Sequence, residues 1–239
     1  MRRFFAPPDQ ISSSRINLDE SETRHLRDVL RLRIGDAVNV FDGSGAEYSC
    51  VIATIGKRTA ELDVTEPTSP AAPESPLDLT MAVAVLKGDK FDLVVQKLVE
   101  LGANAILPLI TLRTETDIRS AIKRLTRWRR IVLEATKQCG RARLTEILEP
   151  RSFSKLIEDT SLQGRVLFAE RQGNLLSELN PGSAMTAIVG PEGGWHDEEL
   201  EAARQADVPV VTLGGRVLRA ETAAITIAAV LQHRFGDLN

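Results

Sequence analysis

Ala187-Ile-Val-Gly-Pro-Glu-Gly-Gly-Trp195 and Val211-Thr-Leu-Gly-Gly-Arg-Val-Leu-Arg-Ala-Glu-Thr222 decide how the second half of this 239-residue chain is read. Each is a short apolar run, then a glycine turn, then a stretch with helical spacing: a buried strand feeding a helix. Two such turns side by side in one sheet line a crevice at the carboxyl ends of the strands, where open α/β sheets bind ligands. Gly190, Gly193, Gly194, Gly214 and Gly215 let backbone approach a bound molecule and permit positive φ. Glu192, Arg216, Arg219 and Glu221 place charge beside them. Ordinary βα loops would need the glycines for the turns alone; charge next to both glycine groups favours a site.

Working outward, the pattern predicts an alternation of strands and helices. Leu79–Val85, Ala105–Ile110, Val166–Ala169, Ala187–Val189 and Val210–Leu213 read as strands, and Phe91–Leu101, Ser120–Cys139, Asp197–Ala206 and Arg219–Phe235 as helices, with Gly102 and Gly140 as stops. This alternation implies a mainly parallel sheet covered on both faces. Before it, residues 65–76 hold four prolines in twelve, which denies them both helix and central strand and makes them a linker or surface crossover. Upstream of that boundary Ala37–Phe41 and Tyr48–Ile52 form a predicted hairpin around Asp42-Gly-Ser-Gly45, and Ala60–Val64 a further strand. Ser21–Leu32 is the one helical stretch there, with Ser21 as its N-cap. Several short strands in about 70 residues suggest a small barrel.

Hydrophobic residues make up 43% of the chain and aromatics only 4%, so the core rests on Leu, Ile, Val and Ala. Cys50 and Cys139 have no CxxC or metal spacing, which fits a reducing cytosol. No apolar run approaches the ~18 residues of a membrane span, and Met1-Arg-Arg-Phe-Phe-Ala-Pro-Pro8 lacks the apolar stretch of a secretory signal. A cytoplasmic protein is expected. Net charge is −3, yet residues 113–151 carry eleven Lys or Arg against five acids. Arg24, Arg27, Arg31 and Arg33 form a second basic group. A polyanion reads local basic surface, so RNA or DNA stands level with a merely solvated face.

GxGxxG after the first strand of the second domain, GxxxxGK[ST], HExxH and GxSxG are all missing. His25, His196 and His233 stand in no triad-like arrangement and read as surface or capping residues. An enzyme built on this chain therefore rests on backbone, Arg and Glu, with no metal and no nucleophilic side chain.

The chain resembles the ribosomal RNA methyltransferases of the RsmE type, in the SPOUT superfamily. The resemblance is carried by Met1-Arg-Arg-Phe-Phe5, His25-Leu-Arg-Asp-Val-Leu-Arg31, Lys87-Gly-Asp-Lys90, Gln96-Lys-Leu-Val-Glu-Leu-Gly102, Glu134-Ala-Thr-Lys-Gln-Cys-Gly-Arg141, Val189-Gly-Pro-Glu-Gly-Gly194 and Leu213–Ala223. Thr145 and Gly215 stand where that family commonly has proline, Trp195 where it has phenylalanine, and Ala220 where it has threonine.

The resemblance implies a PUA-like β-barrel over residues 1–72 that binds RNA. Residues 73–239 become an α/β SPOUT domain with a trefoil knot, an exception to the rule against threading. It implies a homodimer, small-subunit ribosomal RNA as partner, and S-adenosyl-L-methionine as cofactor. The cofactor would lie on Phe168, Ala169, Val189, Gly190, Pro191, Glu192, Gly193, Gly194, Leu213, Gly214, Arg216, Val217, Leu218 and Arg219. The implied reaction is methylation of a uridine N3. Its catalytic candidates are Arg219, a fixed cation for negative charge on the uracil oxygens, and Glu192 or Glu221 as proton acceptor. Glu192 could instead favour the sulfonium, and Glu221 could serve only the helix dipole. Arg27, Arg31, Arg33, Arg141 and Arg143 are the implied RNA contacts, placing phosphates without reading sequence. The alternatives are a non-catalytic RNA-binding or ribosome-assembly factor, and a related enzyme acting on another RNA.

Overall fold

A computed structural model of the chain describes residues 2–171, 173–179 and 182–238. The chain forms two compact units, Met1–Glu74 with Leu133–Leu144, and Ser75–Val132 with Thr145–Asn239.

The first unit holds five strands: β1 (Arg3–Phe5), β2 (Arg15–Leu18), β3 (Ala37–Phe41), β4 (Glu47–Ile55) and β5 (Ala60–Thr68), in the order β1-β3-β4-β5-β2. β1 runs parallel to β3 and the other pairs are antiparallel. The expected hairpin is present, with Val38 opposite Cys50. β5 runs five residues past its last partner on β2, so Pro67 lies on a strand with that side open. The proline-rich segment thus begins as strand, where a missing N–H costs least. The expected helix differs too. Helix α1 (Glu20–Arg24) is capped by Asp19, whose carboxylate accepts from Glu22 N at 2.8 Å, so Ser21 is not the cap. His25–Val29 then widens into a π turn closed by Leu30 N to His25 O at 3.0 Å.

Phe4, Ile16, Leu18, Leu26, Val40 and Leu62 fill the core of this unit. Two buried ion pairs cross it. Arg3 donates to both Glu47 oxygens, at 3.0 and 2.7 Å, and also to the carbonyls of Thr136, Lys137 and Arg141. It thereby satisfies carbonyls left open at the end of helix α3 (Ile118–Cys139). Lys137 meets Glu22 at 2.7 Å, although burial still pushes the Glu22 carboxyl above its ordinary range. Burial also pushes the Cys50 thiol up to about 12. Only thiolate reacts with a disulfide reagent. Titration of native protein near pH 8 should therefore show at most one reactive thiol, Cys139, and a second only after unfolding.

The second unit is built on a parallel sheet in the order β11-β13-β10-β12-β6-β7-β8. The strands are β6 (Asp78–Ala84), β7 (Ala105–Ile110), β8 (Glu146–Ile147), β10 (Arg165–Phe168), β11 (Asn174–Leu175), β12 (Ala184–Val189) and β13 (Val210–Thr212), while β9 (Arg151–Ser152) pairs with β7. All neighbours are parallel, so the carboxyl ends of β6, β10, β12 and β13 share one edge. Helices α2 (Lys90–Glu100) and α6 (Ala220–Phe235) pack together, as do α4 (Phe153–Glu158) and α5 (Asp197–Gln205). Leu107, Leu109, Phe153, Leu156, Leu167, Ile188 and Trp195 form a core around α4, α5 and the sheet. Buried apolar side chains are worth roughly 1.5–3 kcal/mol each, so strands with two buried faces read as near-continuous apolar runs. No helix among the described residues is long and apolar enough to cross a membrane.

Candidate active site

The ends of β10, β12 and β13 and the start of α6 surround a cavity of about 280 Å³. Parallel pairing sets Phe168 beside Val189 and Val211, which brings the three following loops to one place. Trp195 fastens two of them. Its Nε1 donates to the Phe168 carbonyl at 2.8 Å, a bond phenylalanine could not make, and its ring packs on Phe153 with centroids 5.2 Å apart. Gly190 is required by that ring, because a methyl there would stand 2.9 Å from Trp195 Cε2. Gly214 is required by its backbone, at φ +135°, and a Cβ there would meet nothing within 4 Å.

Twelve of the fourteen expected cofactor residues line this cavity: Phe168, Ala169, Val189, Gly190, Pro191, Glu192, Leu213, Gly214, Arg216, Val217, Leu218 and Arg219. Gly193 and Gly194 lie in the turn that follows Glu192. They shape the turn and leave the cavity wall to their neighbours. The Gly193 carbonyl accepts from Arg113 at 2.8 Å, and Gly194 sits at φ +69° with its open side toward Glu170. His196 caps α5, accepting from Glu198 N while Glu199 reaches back to its own N–H. No group of three His, Cys, Asp or Glu among the described residues could hold a metal ion.

The charges are arranged unevenly. Lys90, the first residue of α2, brings its ammonium to 3.5 Å from Glu192 and 3.6 Å from Glu221. Glu192 also accepts from the backbone N–H of Lys87 at 3.2 Å. Glu221 Oε2 is buried without a hydrogen bond, since its lysine contact lies just beyond hydrogen-bond range. A buried acceptor in that state costs on the order of 1–3 kcal/mol until something donates to it. Arg219 is exposed at the N-cap of α6, and its guanidinium has no hydrogen bond or ion pair among the described residues. The cavity thus offers the guanidiniums of Arg216 and Arg219, neither held by a hydrogen bond or ion pair among the described residues, the carboxylates of Glu170, Glu192 and Glu221, and glycine-exposed backbone.

Sequence reasoning passed over Lys90 as a wall residue, along with Thr212, Ala223 and Ile227. Lys90 belongs to the Lys87-Gly-Asp-Lys90 stretch, and that lysine-glycine-aspartate-lysine pattern beside a helix start is the signal that could have found it.

The basic residues divide. Arg31 and Arg33 are exposed on the loop after the π turn, with Arg31 at φ 53°. Arg27 is held bidentate by Asp28, and that bond draws the Asp28 carboxyl below its ordinary range. Arg143 is exposed and donates to Ser44 O at 3.3 Å. Arg141, by contrast, is 3% exposed and its guanidinium pairs with Glu74 at 2.6 Å, a contact that serves the fold.

Residues 73–232 match the RNA methyltransferase domain family, and residues 18–65 match the RNA methyltransferase PUA domain. The ribosomal RNA small subunit methyltransferase E of Synechocystis is 34% identical over 230 residues, covering 92% of this chain and 74% of its own. The chain belongs to the ribosomal RNA small subunit methyltransferase E family. Its relative from Rickettsia conorii is also 34% identical, with coverage of 91% and 89%. The crystal structure of the Neisseria gonorrhoeae family member, bound to S-adenosyl methionine, superposes with a TM-score of 0.91 at 33% identity and full coverage of both chains. This family architecture, a PUA-like unit followed by an α/β unit with a parallel sheet, is the one described above.

Proposed function

We propose that this chain transfers the methyl group of S-adenosylmethionine to N3 of a uridine in small-subunit ribosomal RNA. Support comes from the family, and one observation of this structure carries the chemistry: the free Arg219 guanidinium and Glu221 Oε2, buried without a hydrogen bond and 3.6 Å from the Lys90 ammonium, belong to the wall of one glycine-rich cavity. The residues fit the cofactor. A buried oxygen lacking a donor suits a ligand that brings amine, hydroxyl or positive charge, and the backbone from Val189 to Glu192 and Leu213 to Leu218 is open to an adenosine.

When bound, the cofactor supplies an electrophilic methyl on a cationic sulfur. The chain's own residues do the rest. Both loops fix the direction of approach, and well-oriented reactants gain up to several kcal/mol from avoided entropy loss. Uridine N3 bears a proton that must leave before its lone pair can attack. Glu221 Oε2 is the acceptor this geometry favours, because Glu192 already accepts from Lys87 N. Arg219 then holds the negative charge on the flanking uracil oxygens, donating in a plane and staying protonated. Lys90 keeps the two carboxylates from repelling each other while the base binds.

On this reading residues 1–72 bind RNA and 73–239 carry the chemistry. The target base leaves its stack to reach the cavity. A cytoplasmic homodimer and a C-terminal trefoil knot belong to the same reading. The strand order, with β13 outside β10 and β12 inside it, supports the knot.

Calorimetry with S-adenosylmethionine, followed by mass spectrometry of ribosomal RNA from a deletion strain with and without this gene, tests the function. The expected result is tight cofactor binding and one methylated uridine N3 that appears only with the gene. A methyl on another atom or another RNA refutes the assignment. Gly190→Ala should displace the Trp195 ring and weaken cofactor binding tenfold or more, about 1.4 kcal/mol. Unchanged affinity would place the cofactor elsewhere.

A further inference from the structure

Helix α3 has two faces with different partners. Its inner face buries Ala121, Leu125, Trp128 and Val132. The same helix is tied to the loop that delivers Lys90 into the cavity. Arg124 donates to Gly88 O at 2.8 Å, Arg127 meets Asp89 at 3.0 Å and also pairs with Asp92, and Trp128 Nε1 donates to Asp92 at 3.0 Å. The outer face carries Arg119, Lys123 and Arg130, spaced so that all three project away from the buried stripe. All three are exposed, and no side-chain hydrogen bond or ion pair holds any of them among the described residues. Of the two acids just before the helix, Asp117 gives its carboxylate to the backbone N–H of Ser120 at 2.7 Å and Glu115 pairs with Lys87.

A merely solvated helix face interleaves acids and bases that pair at i,i+4. On this face the acid at i+4 from Arg130, Glu134, turns to Lys137 at 3.8 Å and leaves Arg119, Lys123 and Arg130 without an ion pair among the described residues, in a chain of net charge −3. Arg119 to Arg130 spans about 16 Å along the helix axis, room for several consecutive backbone phosphates. Arg113, three residues past the end of β7, donates to the Gly193 carbonyl, next to Glu192 of the cavity wall.

We infer that the outer face of α3 is a phosphate track, separate from the PUA-like unit, that guides the RNA strand toward the cavity. This rests on the RNA methyltransferase reading above. Its contacts go to phosphates, so it adds affinity and orientation without reading sequence.

The test uses the full chain with Arg119→Gln, Lys123→Gln and Arg130→Gln combined, since Gln keeps helix propensity. A control combines Lys155→Gln with Arg204→Gln on α4 and α5. The probe is small-subunit ribosomal RNA at a series of salt concentrations. The triple variant should bind RNA about tenfold or more weakly at low salt, with a log–log salt slope smaller by about two. KM for RNA should rise while kcat and calorimetric S-adenosylmethionine affinity stay at wild-type values, and the control should match wild type. A triple variant with wild-type RNA affinity and salt slope overturns the track, as does an equal loss in the control. Failure of the functional reading itself looks different: the wild-type chain would then bind no cofactor and methylate no RNA.

Discussion

Arg219→Ala lowers kcat for RNA methylation by about 10²–10³-fold, the cost of removing one preorganised donor from a site of developing negative charge. The guanidinium stands at the N-cap of α6, in the cavity and without a partner of its own. Its removal leaves no buried charge behind, so folding stability should change by less than about 0.5 kcal/mol, as for most surface substitutions. Cofactor affinity, governed mainly by loop backbone, should change far less than kcat. Arg219→Lys should recover little, because an ammonium cannot span two uracil oxygens in a plane. Single-turnover methylation with radiolabelled cofactor measures this directly. A variant with wild-type single-turnover rate removes Arg219 from the chemistry and leaves Arg216 and Lys90 as the other cations of the cavity wall.

Arg3→Met destabilises the first unit by about 3–5 kcal/mol, the usual cost of breaking a buried ion pair from one side. Glu47 would remain buried with one remaining side-chain donor, Asn39 Nδ2 at 3.0 Å, and the carbonyls of Thr136, Lys137 and Arg141 would each lose a donor. Arg3→Met with Glu47→Leu should recover at least half of the loss, since removing both charges removes the uncompensated one. Urea unfolding followed by amide exchange in the first unit separates its transition from that of the second. A single-variant cost below about 1 kcal/mol would mean that Arg3 is replaceable by solvent.

Much of the fold was legible because period and punctuation are local. β6, α2, β7, α3, α5 and α6 fall within a residue or two of their expected bounds. Gly102 and Gly140 stop their helices at φ +79° and +91°. Strands β8, β9 and β11, of two residues each, are too short to show any period, and helix α4 is barely longer. Asp19 outcompeted Ser21 as cap because capping depends on which side chain reaches a free N–H, and both residue types suit the role. Arg141 shows the limit of counting charges. A basic cluster in sequence does not distinguish the arginine that finds Glu74 from those that find solvent.

Taken alone, the amino-acid order determined that two apolar strands end in glycine turns flanked by charge, and that the charge includes Arg219, Glu192 and Glu221. Those are properties of neighbouring residues, and backbone sterics enforce them locally. The tertiary structure decided the rest: Lys90 between Glu192 and Glu221, Trp195 bonded to Phe168, and Gly193 and Gly194 turned toward Arg113 and Glu170. Each of those contacts joins residues from separate loops or helices. Their proximity exists only after parallel pairing of β10, β12 and β13 has brought three loops to one edge of the sheet.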